Sequence, residues 1–216
     1  MTKLHSIILT LVLLCLLCTS CTNKGEKAEP ANPTQAKTET RGRVITICLQ
    51  PYNGFPGDQL LELQADVQNC LDTLIPEKKF KVNTLENRQL PLTCFYQPRK
   101  RYRADSIIRY QFTFNSPYYI MGVLSSDISV NAHGVEDFGI LGLGFCPGKS
   151  AVVSTFRVKQ RPLFYKVAIH EFLHNLGLNH CPQNDRSCYM CDADKTPRLE
   201  LQVRLCESCR DALINN

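Results

Sequence analysis

The strongest chemical signal in the chain is an eleven-residue string, His170-Glu171-Phe172-Leu173-His174-Asn175-Leu176-Gly177-Leu178-Asn179-His180, which holds three of the five histidines. His170 and His174 are one helical turn apart, so on a helix both imidazoles leave the same face. Two ring nitrogens placed in this way can bind one Zn²⁺ at about 2.0–2.1 Å. Gly177 can take a left-handed conformation and end the helix sharply. The returning chain then brings His180 to the same metal. Three histidines leave the fourth position of a tetrahedral ion open, as catalytic zinc requires. Glu171 is placed to reach a zinc-bound water as general base and to pass the proton on to a leaving amine. The expected chemistry is peptide hydrolysis through a tetrahedral intermediate, with no acyl-enzyme.

A second set of donors follows at once: Cys181, Cys188, Cys191, Cys206 and Cys209, containing the pairs Cys188-x-x-Cys191 and Cys206-x-x-Cys209. Four thiolates closing a tetrahedron make a structural zinc site with no open position. Spacing alone allows two ligand sets: Cys188, Cys191, Cys206 and Cys209, or the same set with Cys181 in place of Cys191. Disulfides are the competing use of these residues in an exported protein.

These residues need a scaffold, and the composition provides for one. Of the 216 residues 44% are apolar and 21% charged, enough for a buried core and unlike a disordered chain. Gly 11 and Pro 12 exclude collagen-like and low-complexity classes, and no internal repeat is visible. Strands are expected at Arg43–Gln50, Lys79–Leu85, Leu92–Tyr96, Tyr119–Ser125 and Ile128–Val130. Helices are expected at Asp58–Ile75, with Asp58 as cap, at Pro98–Phe112, at Pro162–Leu176 and near Cys206–Ile214. Phe138–Phe145 and Ala151–Val158 read as a hairpin around Pro147-Gly148, with Asn131–Asp137, including His133, as a loop. The net charge of +5 is weak ground for nucleic-acid binding. The basic run PRKRYR (98–103) reads as a solvated helix start.

The N-terminus accounts for several of the 12 cysteines. A single Lys3, an apolar run Ile7–Cys18 and then Thr19-Ser20-Cys21 describe a secretory signal over residues 1–20. The apolar run is too short for a spanning helix. Its ending resembles a bacterial lipobox, which makes Cys21 the expected lipidated residue. Residues 21–42 lack large apolar side chains beyond the start and read as a flexible tether. The folded domain is expected over 43–216, divided at Gly177 into subdomains 43–177 and 178–216. Cys48, Cys70, Cys94 and Cys146 are left over; Cys48 and Cys70 sit in apolar patterns and read as buried thiols.

The string His170–His180 runs directly into Cys181, then Cys188-Tyr189-Met190, then Cys206-x-x-Cys209, and in this it resembles the archaemetzincin family, a branch of the metzincins. PRKRYRADSIIRY, GVLSSDISV and SAVVSTFRV also look like that family, and the resemblance runs from about Arg43 to Leu213. It implies an α/β (α+β) fold: a twisted mixed sheet with an active-site helix and a small zinc-braced C-terminal subdomain. It also implies two zinc ions, a catalytic one on His170, His174 and His180 and a structural one on Cys181, Cys188, Cys206 and Cys209. Met190 is implied as the Met-turn and Cys191 as the spare. The Cys181–Cys188 gap is longer than is usual in the family, which keeps Cys191 in competition with Cys181. An edge strand aligning the substrate is implied too, with Phe138–Phe145 as candidate.

The expectation is a monomeric zinc metallopeptidase acting on peptide or protein. It would be exported and lipid-anchored to a membrane of a bacterial cell envelope, with no nucleic-acid partner. The alternative is an inactive, zinc-braced peptide-binding lipoprotein. Glu171 weighs against it, because metal binding does not need that carboxylate.

Overall fold

The computed structural model describes residues 43–192 and 198–215. The signal, the tether and the lipidation expected at Cys21 lie outside the described residues. No helix among those described is long and apolar enough to cross a membrane.

Apolar, β-branched segments form a five-stranded sheet. Strand β1 (Val44–Pro51) is flanked by β2 (Lys79–Thr84) on one side and by β5 (Tyr119–Leu124) on the other, both parallel to it. Beyond β5 lie β9 (Ser150–Ser154), parallel to it, and then β8 (Gly142–Gly144), antiparallel to β9, giving the order β2-β1-β5-β9-β8. All of β9 and nearly all of β5 are buried, as expected of strands covered on both faces.

One face carries helix α1 (Gly57–Leu74) and helix α3 (Phe164–Asn175), whose apolar stripes close the larger core. In α1, Leu60, Leu63, Val67 and Leu71 are buried at helical spacing while Leu61 faces solvent. The helix starts one residue earlier than the sequence pattern suggested. Pro56 is therefore at the cap, and Asp58 makes no capping bond. Its charge still favours the first turn through the helix dipole. The opposite face of the sheet carries α2 (Ala104–Phe112), which buries Ala104, Ile107 and Ile108 against Tyr52, Leu124 and Val152.

A second, four-stranded sheet has the order β3-β4-β6-β7, from β3 (Phe95–Tyr96), β4 (Arg101–Arg103), β6 (Ile128–Ala132) and β7 (Val135–Ile140). It corrects two sequence expectations. Asn131–Asp137 is not an open loop: His133 and Gly134, both at positive φ, turn β6 tightly into β7. The basic run is not a helix start either. Arg101–Arg103 is a strand, and its arginines meet carboxylates buried in the fold. Arg101 lies 3.2 Å from Asp127 and 3.4 Å from Asp137. Asp127 also takes a two-point contact from Arg157, at 2.6 and 2.7 Å. Buried carboxylates are costly unless paired, so these basic side chains are used internally.

Candidate metal centre

Helix α3 carries the site, and its ending explains the spacing of the string. Gly177 sits at φ +95°. Its N–H donates to the His174 carbonyl at 2.8 Å, and the Leu178 N–H donates to the Leu173 carbonyl at 3.1 Å. These paired bonds are those of a Schellman cap. Leu178 is buried against the core, which holds the reversal in place. The chain therefore doubles back after α3, and His180 arrives beside the two helix histidines. One ligand-capable atom each from His170, His174 and His180 lies within 4.8 Å of the others.

The ring orientations are fixed from behind. His170 Nδ1 is 2.7 Å from the Tyr189 carbonyl and His174 Nδ1 is 2.7 Å from the Leu178 carbonyl. A carbonyl only accepts, so each Nδ1 carries the proton and each Nε2 presents a lone pair. Those two Nε2 atoms face each other at 3.1 Å. Two lone pairs at that distance repel unless a cation lies between them. Two nitrogens about 2.0–2.1 Å from one tetrahedral ion must sit about 3.3 Å apart, so the donor set fits zinc. Desolvation, helped by the neighbouring His174, lowers the His170 pKa to about 3, which keeps the ring neutral at ordinary pH. His180 is more open, with its Nδ1 3.7 Å from Asp192 Oδ2.

Glu171 is buried against β8. Burial pushes its carboxyl up to about 8, against the pull of a hydrogen bond from the Gly144 backbone. The strand approaches so closely that only glycine fits. A Cβ on Gly142 would lie 2.7 Å from Glu171 Oε1, and one on Gly144 would lie 2.3 Å from the Glu171 backbone oxygen. The implied edge strand is thus shorter than Phe138–Phe145. Residues up to Ile140 belong to the second sheet, and only Gly142–Gly144 forms the edge of the main one.

Four thiols form the second cluster: Cys181, Cys188, Cys206 and Cys209 are all buried, with sulfurs within 4.8 Å of one another. Of the two sets that spacing allowed, the structure assembles the one containing Cys181. Cys191 Sγ instead donates to Asn184 Oδ1 at 3.1 Å. Cys181 and Cys206 are 3.6 Å apart, far beyond a disulfide's S–S length of about 2.05 Å and close to the roughly 3.8 Å of two sulfurs sharing a zinc. Burial raises the Cys188 thiol to about 11, so a cation would be what holds it as thiolate. Of the remaining cysteines, Cys48 and Cys94 are buried, Cys70 is half-buried and Cys146 is exposed, and none of the four is in a disulfide.

The two clusters share one stretch of backbone. Cys181 follows His180 directly. Cys188 precedes Tyr189, whose carbonyl orients His170, and the Cys181 N–H donates to the Met190 carbonyl at 2.7 Å. Met190 is fully buried in the larger core. Sequence reasoning missed the two orienting carbonyls of Tyr189 and Leu178, since any residue can supply one. It also missed Lys166, buried on α3, whose Nζ donates to the carbonyls of Leu199 and Gln202 at 2.9 and 2.6 Å and ties the C-terminal segment to the helix. The closely spaced glycines of β8 were the one available signal for the strand's contact with Glu171.

A mixed sheet backed by a His-Glu-x-x-His helix, with a capped reversal delivering a third histidine, places the chain among proteins built around that helix. No family model matches the chain. It is 29% identical over 179 residues to an archaemetzincin of Methanopyrus kandleri, covering 79% of this chain and 96% of that one. It is 26% identical over 138 residues to an archaemetzincin of Nanoarchaeum equitans, covering 63% of this chain and 76% of the relative. Among solved structures, archaemetzincin from Methanopyrus kandleri superposes with a TM-score of 0.69 at 23% identity, over 81% of this chain and 96% of that one. Archaemetzincin from Archaeoglobus fulgidus, complexed with malonate, gives a TM-score of 0.61 at 25% identity, over 77% and 99%. The chain is thus similar to archaemetzincins in sequence and in fold.

Proposed function

We propose that this chain is a zinc-dependent metallopeptidase in which His170, His174 and His180 hold the catalytic ion and Glu171 acts as general base. The observation that carries the reading is the pair of Nε2 lone pairs facing each other at 3.1 Å, each ring locked by a carbonyl at its other nitrogen. A zinc ion held by these three histidines would supply Lewis acidity at the site. Glu171 takes a proton from the attacking water and gives it to the leaving nitrogen, so one carboxyl serves both halves of the reaction. In the metal-free chain burial raises its affinity for a proton, and a cation nearby would pull it back toward the carboxylate that a base needs. The Gly144 N–H holds the carboxylate in position. Cys181, Cys188, Cys206 and Cys209 hold a second, structural zinc that braces His180 and the Tyr189 carbonyl, and Met190 is the Met-turn.

The N-terminal sequence supports export and a lipid anchor at Cys21, placing the catalytic domain at a membrane of the cell envelope on a tether of residues 21–42. The test is cleavage of a mixed peptide library by the purified domain, repeated after chelation and after zinc is restored. Cleavage that disappears and returns with zinc supports the reading. A fully zinc-loaded protein that cleaves nothing would favour the inactive peptide-binding alternative.

A further inference from the structure

Phe112, at the end of α2, and Phe145, just past β8, form an aromatic pair that no mechanism above uses. Their rings meet edge to face with centroids 5.6 Å apart at 86°, and the two residues are 48% and 52% exposed. Two large rings from different elements meet at the surface and form one contiguous apolar contact rather than two scattered exposed residues.

Their location supplies the occupant. Leu141 and Phe145 exchange backbone hydrogen bonds with β9, through Ser154 N–H to the Leu141 carbonyl at 2.8 Å and Phe145 N–H to the Ser150 carbonyl at 3.0 Å. By the alternation of an antiparallel ladder, the backbone groups of Gly142 and Gly144 point away from β9; the Gly144 N–H is used on the Glu171 carboxylate, which leaves the Gly142 N–H and the two glycine carbonyls for an added strand. Glu171 lies against these same two glycines. An extended peptide added along that edge therefore passes the candidate base, and its next few residues run alongside Phe145. Strand side chains alternate between faces. Gly142 and Gly144 direct their missing Cβ positions at α3, whereas Phe145 stacks on Phe112 of α2, on the opposite face. The shelf is also rigid. The buried Asn175 side chain donates to the Phe145 carbonyl at 2.8 Å, and the Phe145 side chain lies within 2.8 Å of where a Gly148 Cβ would be.

We infer that Phe112 and Phe145 form a specificity shelf that selects peptides carrying a large apolar or aromatic side chain two to three residues from the cleaved bond. This rests on the peptidase reading for its cleaved bond but not for its contact surface. At about 3.3 Å per strand residue, Phe145 stands about 10 Å along the strand from Gly142, which sets that distance. Edge-to-face addition of a third ring is favourable, and the rigid pair loses little freedom on binding.

The chain contains no Trp, so emission excited on the red edge beyond tyrosine absorption reports the Trp-bearing peptide alone. The probe is a set of Ala/Ser/Gly decapeptides with one Trp moved through every position, titrated into zinc-loaded Glu171→Gln protein so that none is consumed. In parallel, the same set is offered to the wild-type protein and its cleavage mapped. The expected result is tightest binding at one Trp position, with cleavage by wild type two to three residues from that Trp. Phe145→Ala and Phe112→Ala should each weaken that position by about 3- to 10-fold while leaving Trp-free peptides and zinc content unchanged. Equal affinity at all positions, or a preference that survives both substitutions, would overturn the shelf. Cleavage without positional preference would sink the shelf and keep the peptidase. A Trp preference lost in both Phe variants, in a chain that cleaves nothing, would keep the shelf and sink the peptidase.

Discussion

The contact between β8 and α3 gives the sharpest pair of perturbations, because two glycines two residues apart meet different parts of Glu171. In Gly144→Ala the new Cβ would lie 2.3 Å from the Glu171 backbone oxygen and 3.1 Å from His174 Cβ. Helix backbone cannot rotate away, so strand and helix must part by about 1 Å to reach ordinary contact. Overpacking of this kind costs about 1–3 kcal/mol, which for a domain of this size lowers the melting temperature by roughly 2–10 °C. The same displacement breaks the Gly144 hydrogen bond to the Glu171 carboxylate. In Gly142→Ala the nearest atoms are Cγ and Oε1 of the Glu171 side chain, both at 2.7 Å. A side chain can rotate, so the stability cost should stay near or below about 1 kcal/mol, but the rotation carries the base away from its position. A misplacement of about 1 Å costs on the order of 10²-fold in rate. Calorimetry, zinc content and peptide hydrolysis on both variants separate the two effects. Gly144→Ala should lose stability and rate together, whereas Gly142→Ala should lose rate out of proportion to stability. Wild-type turnover in zinc-loaded Gly142→Ala, or an unchanged melting temperature in Gly144→Ala, would refute the reasoning.

Three further outcomes follow from the same geometry. Lys166→Met leaves the Leu199 and Gln202 carbonyls without their charged donor; it should cost about 2–4 kcal/mol and speed hydrogen exchange in the segment from residue 198 onward. Cys206→Ser should remove one zinc of two and also weaken the histidine site, because Cys188 adjoins the Tyr189 carbonyl that orients His170; undiminished zinc affinity at the histidines would contradict that link. In the metal-free chain, His170 has a folded pKa lowered from 6.5 to about 3, so its contribution to stability is present above pH 6.5 and lost as the pH falls toward 3. Glu171 has a folded pKa raised from 4.5 to about 8, so its contribution is present below pH 4.5 and lost as the pH rises through 8. Between pH 4.5 and 6.5 the two slopes cancel, and from pH 6.5 to 8 the chain should lose about 2 kcal/mol in urea titrations, a loss that Glu171→Gln abolishes.

The parts legible in the sequence are those set by local spacing. The helix of the string, its end at Gly177 and the buried stripe of α1 depend on residues within one or two turns of each other. The choice of Cys181 over Cys191 was not local. Both are near enough in sequence, and the fold decides it by the path of the chain between Cys181 and Cys188. The arginines of PRKRYR looked solvated because their partners, Asp127 and Asp137, lie in strands and turns far along the chain. The break between β7 and β8 was hidden because one apolar, glycine-containing run serves two sheets, and only the pairing partners, β6 for one and β9 for the other, divide it. The carbonyls that lock His170 and His174 have no sequence signature at all.

Glu171 is proposed to move protons beside a metal that it does not hold, and one comparison tests this directly. Wild-type and Glu171→Gln proteins are loaded with zinc, their metal content is measured, and each is incubated with the same peptide library. The expected result is two zinc ions per chain in both proteins, with hydrolysis by the wild type and a loss of on the order of 10³-fold or more in the variant. Equal hydrolysis by both proteins, or a variant that fails to retain the histidine-site zinc, would contradict it.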